Sequence, residues 1–303
     1  MTHKIRIITE PVVIPLAHMQ LMSEGLEKLT YWLRDYRPAC LEGIDPASPY
    51  YGLFPHDGEE EPHEPVGMRD PQNQKSWGPR PVTHNELLVE LAGRNCYHSY
   101  GAKAGRKTNR EYIENTQGGD IPHASIMYHA KMSFFIGNVS RRVSHELIRH
   151  YVGADRDEEG SPSQESTRYT EHPGFYVPNV RILEDEDELE KYEAAMWAGY
   201  TEYREYISRS CAKYEKEHGA APKGLDRKRI YEAASSYRHH SVTTSFVWTT
   251  NPVALAKLLR ERDNEAADLE FARLAKMWKK VAVQYWPNLF PHLLAVDNAA
   301  SSR

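Results

Sequence analysis

The sequence predicts an α+β domain, a sheet covered by helices, from three observations. Two stretches alternate apolar and polar residues with the period of a strand. Several others carry apolar residues at helical spacing between recognisable caps, and there is no internal repeat or low-complexity tract. At 303 residues the chain is long enough for one large domain or two ordinary ones, with a core that needs neither disulfides nor a structural metal. Hydrophobic residues at 40% and charged residues at 27% suit a globular protein of enzyme size.

In chain order, residues 21–35 read as a helix. Residues 41–82 are irregular, with eight prolines and the acidic run Glu59-Glu60-Glu61, and read as a long surface excursion. A second helix follows over 85–96, with Asn85 as its N-cap. A short one over 111–116 ends at Gly118-Gly119. Residues 126–136 form the first strand, because Ile126, Tyr128, Ala130, Met132, Phe134 and Ile136 alternate with Met127, His129, Lys131 and Ser133. Residues 140–150 make a helix capped by Ser140, and 185–218 one long helix or two, closed by Gly219. The second strand, 241–250, alternates Val242, Phe246 and Trp248 with Thr243, Ser245 and Thr249. Asn251-Pro252 places a cap and an N1 proline in the order that starts a helix, and 263–286 is a further amphipathic helix.

The charge, 38 Lys+Arg against 43 Asp+Glu, is formally −5. That sign argues against non-specific coating of nucleic acid but leaves room for a small anion, since local arginines can oppose the global charge. No apolar run approaches the roughly 18 residues that span a bilayer. Glu10, Pro11 and Pro15 interrupt the stretch where a signal peptide is unbroken and apolar. Cys40, Cys96 and Cys211 are widely spaced and form neither a disulfide framework nor a paired metal motif. The expectation is a cytoplasmic protein with no membrane or nucleic-acid partner.

Several familiar motifs fail. His145-Glu146-Leu147-Ile148-Arg149-His150 resembles a zinc-protease helix, but its second histidine falls at i+5, roughly 140° around the helix from the first. Arg149 occupies the i+4 ligand position and repels a cation, so no metal is expected. Residues 101–108 have the wrong spacing for a phosphate-binding loop and follow no predicted strand. Cys211 lies on the long helix and reads as packing, so a cysteine nucleophile has no local support.

What remains is a concentration of anion-binding residues. The helix ending Arg149-His150-Tyr151 leads through an acidic segment containing Arg156 to Ser161-Pro-Ser163-Gln164-Glu165-Ser166-Thr167-Arg168-Tyr169. Arg149 and Arg168 can each offer a planar fork to phosphate or carboxylate, and Ser166, Thr167 and nearby backbone amides could complete an anion nest. The same serines, threonines and glutamine also read as ordinary loop residues, and surface arginines usually pair with acids.

This segment resembles the signature of the flavin-dependent thymidylate synthases, the ThyX family. Arg149-His150, Ser161, Gln164, Ser166 and Arg168-Tyr169 carry the match. His123-Ala124-Ser125 with the strand to Ile136 resembles the family's flavin-contacting segment. Ala92-Gly-Arg94-Asn-Cys96-Tyr97 is similar to its Ala-Arg-x-Ser-Tyr, with Cys96 where serine is usual. Trp248-Thr-Thr-Asn251 resembles the segment whose asparagine touches flavin, and Arg262 falls at a uridylate-binding arginine. The resemblance implies a catalytic domain over 85–290, after an N-terminal extension (1–84) and before a tail (291–303), with a largely antiparallel sheet in a homotetramer whose sites form between subunits.

The chemistry so implied is methylation of C5 of a uridine nucleotide. Methylenetetrahydrofolate donates the carbon, FAD reduced by NADPH supplies hydride, and no protein nucleophile takes part. Arg262 is the expected catalytic residue, polarising the uracil. Arg149 and Arg168, with Ser166 and Thr167, hold the phosphate and sugar. Glu146, replacing the family's glutamine, contacts the ribose; Gln164 and Arg238 complete the substrate set. Cys96, His123, Ser125, Arg149, His150, Tyr151, Arg156, Gln164, Asn251 and Lys257 form the flavin set.

The departures matter as much. Tyr151 replaces the third signature arginine; Arg156 in the acidic insertion can return its charge to the flavin phosphates, or the insertion is simply a surface loop. The arginine expected near Ser235 is absent, and Arg238 is the nearest substitute. Val253 and Lys257 stand where arginine and asparagine are usual, and Ala267-Asp268-Leu269-Glu270 replaces Ala-Gln-Trp-Glu. These changes suggest methylation of UMP as well as, or instead of, dUMP, similar to the UMP methylases of polyoxin-type nucleoside-antibiotic biosynthesis. A carboxylate can accept a hydrogen bond from a 2′-hydroxyl that deoxyribose lacks. The alternatives are an ordinary dUMP-specific synthase and an inactive flavin- or nucleotide-binding paralogue. A nucleic-acid base methylase is disfavoured by the charge and the missing basic stripe.

Overall fold

Period-two patterning and helix caps together produce a mixed helix-and-strand protein of the α+β class, seen in a computed structural model that describes residues 5–37, 39, 41, 53, 82–100, 108–117, 123–151, 162–172 and 174–295. The elements run β1 (Arg6–Ile7), β2 (Val12–His18), α1 (Ser23–Tyr36), α2 (His84–Tyr97), α3 (Asn109–Gln117), a 3-10 turn (Ala124–His129), β3 (Met132–Ser140) and α4 (Arg141–Tyr151). Then come β4 (Ser163–Gln164), β5 (Phe175–Tyr176), α5 (Val180–Leu183), α6 (Glu186–His218), α7 (Gly224–Ala234), β6 (Thr243–Thr250), α8 (Pro252–Arg262), α9 (Leu269–Tyr285) and α10 (Leu289–Ala295). Strands β2, β3, β6 and β4 form a four-stranded sheet in that order, and β1 pairs with β5 separately, in parallel. β4 runs antiparallel to β6, with Ser163 opposite Val247 and Gln164 opposite Phe246.

Several elements differ from the sequence expectation, each for a local reason. Thr83, not Asn85, caps α2: its Oγ1 accepts from Glu86 N at 3.4 Å while Glu86 Oε2 accepts from Thr83 N at 3.2 Å, a reciprocal capping box. Asn85 is buried inside the helix. The first half of the 126–136 segment is a 3-10 turn, closed by i→i+3 bonds in which Ile126 N donates to His123 O and Ala130 N to Met127 O, both at 3.3 Å. The strand starts at Met132 and continues to Ser140. Helix α9 begins at Leu269 rather than 263, because Asp268 Oδ1 accepts from the amides of Glu270 and Phe271 at 3.0 and 3.2 Å. Helix α7 and strands β1 and β2 were not expected at all. The long helix is a single one, capped by Asp185 and ended by Gly219 at φ 72°. The glycine pair expected to end α3 lies outside the described residues.

The chain divides into two compact units. The first comprises Met1–Ile14, Phe134–Trp248 and Arg262–Ala275, with Tyr176, Met196 and Val242 at the centre of its apolar cluster. The second comprises Pro15–Ser133, Thr249–Glu261 and Lys276–Arg303, and Leu26, Leu33, Leu53, Val82, Leu87 and Tyr100 form a cluster there. This second unit also buries a polar layer. Arg94 pairs with Glu90, both almost fully buried, and lies 4.7 Å over the Tyr112 ring. Glu86 Oε1 accepts from Leu289 N at 3.0 Å, tying α10 to α2. Burial pushes the Glu86 carboxyl up to about 7, although the amides of Leu289, Asn288 and Thr83 oppose the shift.

Candidate active site

The first unit gathers the anion-binding residues on α4, on the loop after β4 and at the end of α8. Helix α4 is capped by Ser140, whose Oγ accepts from Val143 N at 3.3 Å. Its start is fixed further by the buried Glu270, which accepts from Ser140 N, Ser140 Oγ and Arg142 Nη2 at 2.6, 2.7 and 2.8 Å. Glu146 and His150, four residues apart, therefore share one face of a held helix.

That face meets Arg262, the last residue of α8. Arg262 Nη1 donates to Glu146 Oε2 at 2.8 Å, and its Nε donates to His150 Nε2 at 2.7 Å. The guanidinium lies 5.1 Å over the Phe271 ring, against which His150 packs edge-on. An arginine Nε can only donate, so His150 Nε2 is the acceptor and the imidazole is neutral with its proton on Nδ1. With side-chain exposures of 16% for Arg262 and 25% for Glu146, the pair is largely shielded from water. The result is one planar cation with two of its donors committed and its plane set by an aromatic ring.

The loop after β4 is built on a side-chain lattice. Gln164 Nε2 donates to Ser144 Oγ at 2.8 Å and Thr244 Oγ1 at 3.1 Å, binding β4 to α4 and β6. Ser166 Oγ accepts from Arg168 N at 3.2 Å, and Ser166 O accepts from Thr170 N at 3.1 Å. Thr167 is partly buried, whereas Arg168 is exposed and donates to Glu232 Oε2 on α7 at 2.7 Å. Lys228 sits 4.8 Å over the Tyr169 ring, and its hydrogen bond and charge hold that phenol below its usual range. Arg149 is exposed, and Arg238 Nη2 donates to Thr170 O and Tyr203 Oη at 2.7 and 2.9 Å.

Beneath the loop, His172 is buried among Tyr176, Tyr200 and Tyr203. Gly174 N donates to its Nδ1 at 2.9 Å, so Nε2 carries the proton toward Tyr176 Oη at 2.8 Å. Burial, then the charges of Arg238, His239 and Arg141, lower its pKa to about 3 and keep it neutral.

Cys96, His123, Ser125, Asn251 and Lys257 lie in the second unit. Cys96 is exposed near the end of α2; beside it Tyr97 Oη lies 3.3 Å from either ring nitrogen of His123. Ser125 and Lys257 are exposed, and the buried Asn251 caps α8 by accepting from Ala254 N at 2.9 Å. Tyr151 ends α4, while Arg156 and Ser161 lie outside the described residues.

The structure thus brings Glu146, His150 and Arg262 into one contact, which the sequence had assigned to three separate tasks. It adds Phe271, Glu232, Arg141 and Tyr203, which spacing alone could not single out. Glu232 lies on a helix the sequence reading missed, and the other three act through tertiary contacts.

Comparison with known proteins gives the same direction. The Thy1 family, described as thymidylate synthase complementing protein, matches residues 81–288. The flavin-dependent thymidylate synthase of Mycolicibacterium vanbaalenii is 35% identical over 205 residues, 67% of this chain and 77% of that one. That of Mycobacterium leprae (strain Br4923) is 34% identical over 206 residues, covering 67% and 78%. A crystal structure of Thymidylate Synthase X from Helicobacter pylori with FAD and dUMP overlaps 69% of this chain and 94% of that chain, at 21% identity and a TM-score of 0.45. With a family match over more than half its length and curated relatives aligned across two thirds of it, the chain belongs to the Thy1 family of flavin-dependent thymidylate synthases, enzymes of the methyltransferase type.

Proposed function

We propose that the protein methylates C5 of a uridine monophosphate, UMP as well as or instead of dUMP, with methylenetetrahydrofolate, FAD and NADPH, as a homotetramer. The observation that carries this reading is the Arg262 guanidinium held by Glu146, His150 and Phe271. A pre-oriented cation in a shielded setting stabilises negative charge developing on a uracil carbonyl, which makes C5 nucleophilic without a protein thiolate. Arg149 and Arg168, with Ser166 and Thr167, bind the phosphate and sugar through forked and hydroxyl donors. Arg168 already engages a carboxylate, Glu232, at 2.7 Å, the kind of oxygen pair that a phosphate replaces.

The donor set also suits a flavin. His123, Ser125 and Lys257 are exposed donors on the second unit. These groups match the heteroatoms and pyrophosphate of FAD, which when bound and reduced supplies the hydride that turns methylene into methyl. His150 holds Arg262 through its Nε2.

Glu146 favours a second reading as well. Its Oε2 is taken by Arg262, so the glutamate serves uracil polarisation whatever the sugar, as a dUMP-specific synthase requires. Mass spectrometry of the products from UMP and dUMP, competed in one mixture with the folate, FAD and NADPH, tests both. Methylated product from UMP supports the broader specificity, and product from dUMP alone leaves the second reading standing. Absence of methylated product from either, with flavin retained, leaves a binding paralogue. Light scattering at working concentration tests the tetramer.

A further inference from the structure

Residues 165–170 carry Ser166, Thr167 and Arg168, and they are gripped at both ends by arginines. At the first end, Glu165 N donates to Ser245 O at 3.0 Å, and Glu165 O accepts from Arg141 Nη2 at 2.7 Å. At the other, Thr170 O accepts from Arg238 Nη2 at 2.7 Å. Between them the loop closes on itself, since Thr170 N and Thr170 Oγ1 both donate to Ser166 O, at 3.1 and 2.6 Å.

A carbonyl gripped in this way fixes more than itself. The peptide unit is planar and trans, so turning Glu165 C=O toward Arg141 directs the Ser166 N–H the opposite way. The grip at Thr170 fixes the peptide plane at the far end likewise. Arg238 is in turn aligned by Tyr203 of α6, whose hydroxyl accepts from Arg238 Nη2 at 2.9 Å and from His172 N at 3.1 Å. The guanidinium also lies 4.9 Å over the Tyr203 ring, so both its position and its plane are set.

The arrangement is costly for a purely structural tie. Two guanidiniums are brought close enough for Arg238 to push the Arg141 pKa down, after burial and against the pull of Glu165. The Nε atoms of both arginines are buried without a hydrogen-bond partner among the described residues. Leaving such donors buried and unpaired is unfavourable, and neutral side chains could have held two carbonyls without gathering charge. Paired cations behind a loop of donors raise the local potential in favour of an anion.

We propose that Arg141 and Arg238 form a clamp that shapes loop 165–170 to receive the monophosphate of the nucleotide, with Tyr203 aligning Arg238; all three act through the loop as positioning residues. This rests on the nucleotide-binding reading of the loop given above. The clamp is tested in the full-length, flavin-loaded protein by comparing the affinity of dUMP and UMP with that of deoxyuridine and uridine, which lack the phosphate. Arg141→Met is expected to weaken both monophosphates by roughly tenfold or more, the scale of a lost charged hydrogen bond, while leaving the nucleosides unchanged within about twofold. Hydrogen exchange in a peptide spanning the loop is expected to quicken, and Arg141→Lys, which restores a cationic donor, to recover both properties. Equal loss of nucleoside and nucleotide, or intact monophosphate binding despite faster exchange, overturns the clamp. Should Arg141→Met not fold, Tyr203→Phe removes a single oxygen and carries the same phosphate-selective expectation, at roughly threefold or more. Arg168→Ala separates the premises. Intact monophosphate binding in that variant sinks the nucleotide reading and the clamp with it, whereas weakened binding there and none in Arg141→Met sinks the clamp alone.

Discussion

Replacing Glu146 by glutamine removes one charge and almost no volume, and so isolates what the carboxylate does for Arg262. The contact is 2.8 Å long between side chains 16% and 25% exposed. Two unit charges about 4 Å apart attract by about 4 kcal/mol at the effective dielectric near a protein surface. Desolvation and the ordering of two long side chains cancel most of that. Charged hydrogen bonds are left at about 1.5–3 kcal/mol and neutral ones at about 0.5–1.5 kcal/mol. Glutamine keeps an acceptor near the same place, so the expected loss is the difference, about 1–1.5 kcal/mol, or roughly five- to tenfold. Glu146→Gln should therefore lower kcat by that factor on UMP and dUMP alike. A second role shows as asymmetry: if the carboxylate also accepts the 2′-hydroxyl, kcat/KM on UMP drops by a further factor of roughly ten while dUMP is spared. Steady-state kinetics on both nucleotides, with product identity checked by mass, read the two effects separately. Unchanged kcat on both would refute the reasoning that Arg262 depends on this partner.

Three other outcomes are expected. Arg262→Ala removes the polarising cation and should reduce kcat by roughly 10²–10³-fold, with circular dichroism unchanged; turnover at the parent rate rejects the assignment. The Glu86 carboxyl, raised from 4.5 to about 7 by burial, binds its proton more tightly in the folded than in the unfolded chain. Its stabilising contribution is therefore complete below about pH 4.5 and is lost as pH rises through 7, an effect of roughly 3 kcal/mol that Glu86→Gln should abolish in urea titrations across that range. His172, lowered to about 3, has the opposite sign: the unfolded chain takes up a proton below about 6.5 and the folded one does not, so acidification from 6.5 to 3 costs stability. Nitrogen NMR at pH 5 should find this ring neutral with its proton on Nε2, and a protonated ring there contradicts the buried network.

The residue types of the first unit were legible in the sequence in order, because arginine forks, short hydroxyls and a signature spacing survive without knowledge of the fold. Its arrangement was not. Arg262 lies more than a hundred positions from Glu146 and His150, and only tertiary structure makes the three one contact. Helix ends show the same division. Gly219 and Asp185 announce themselves locally, through left-handed backbone and a short carboxylate. Thr83 was passed over for Asn85, and α9 was begun at 263 rather than after Asp268, because several residues near each start could cap and only the fold selects which is presented. Strand β2 escaped notice because its seven residues leave most side chains half-exposed or exposed, so no alternation marks it.

By itself the sequence determined the α+β class, the order of the main helices and strands, and the family signature with its arginines and hydroxyls. Those properties depend on near neighbours: periodicity, capping residues and fixed spacing along the chain. Tertiary structure alone decided what each charge faces. It set Arg262 against Glu146, His150 and Phe271, gave Arg168 to Glu232, and placed Arg141 and Arg238 at the two ends of one loop. A guanidinium several bonds from the backbone finds its partner through space, and which partner it finds follows from how distant elements pack.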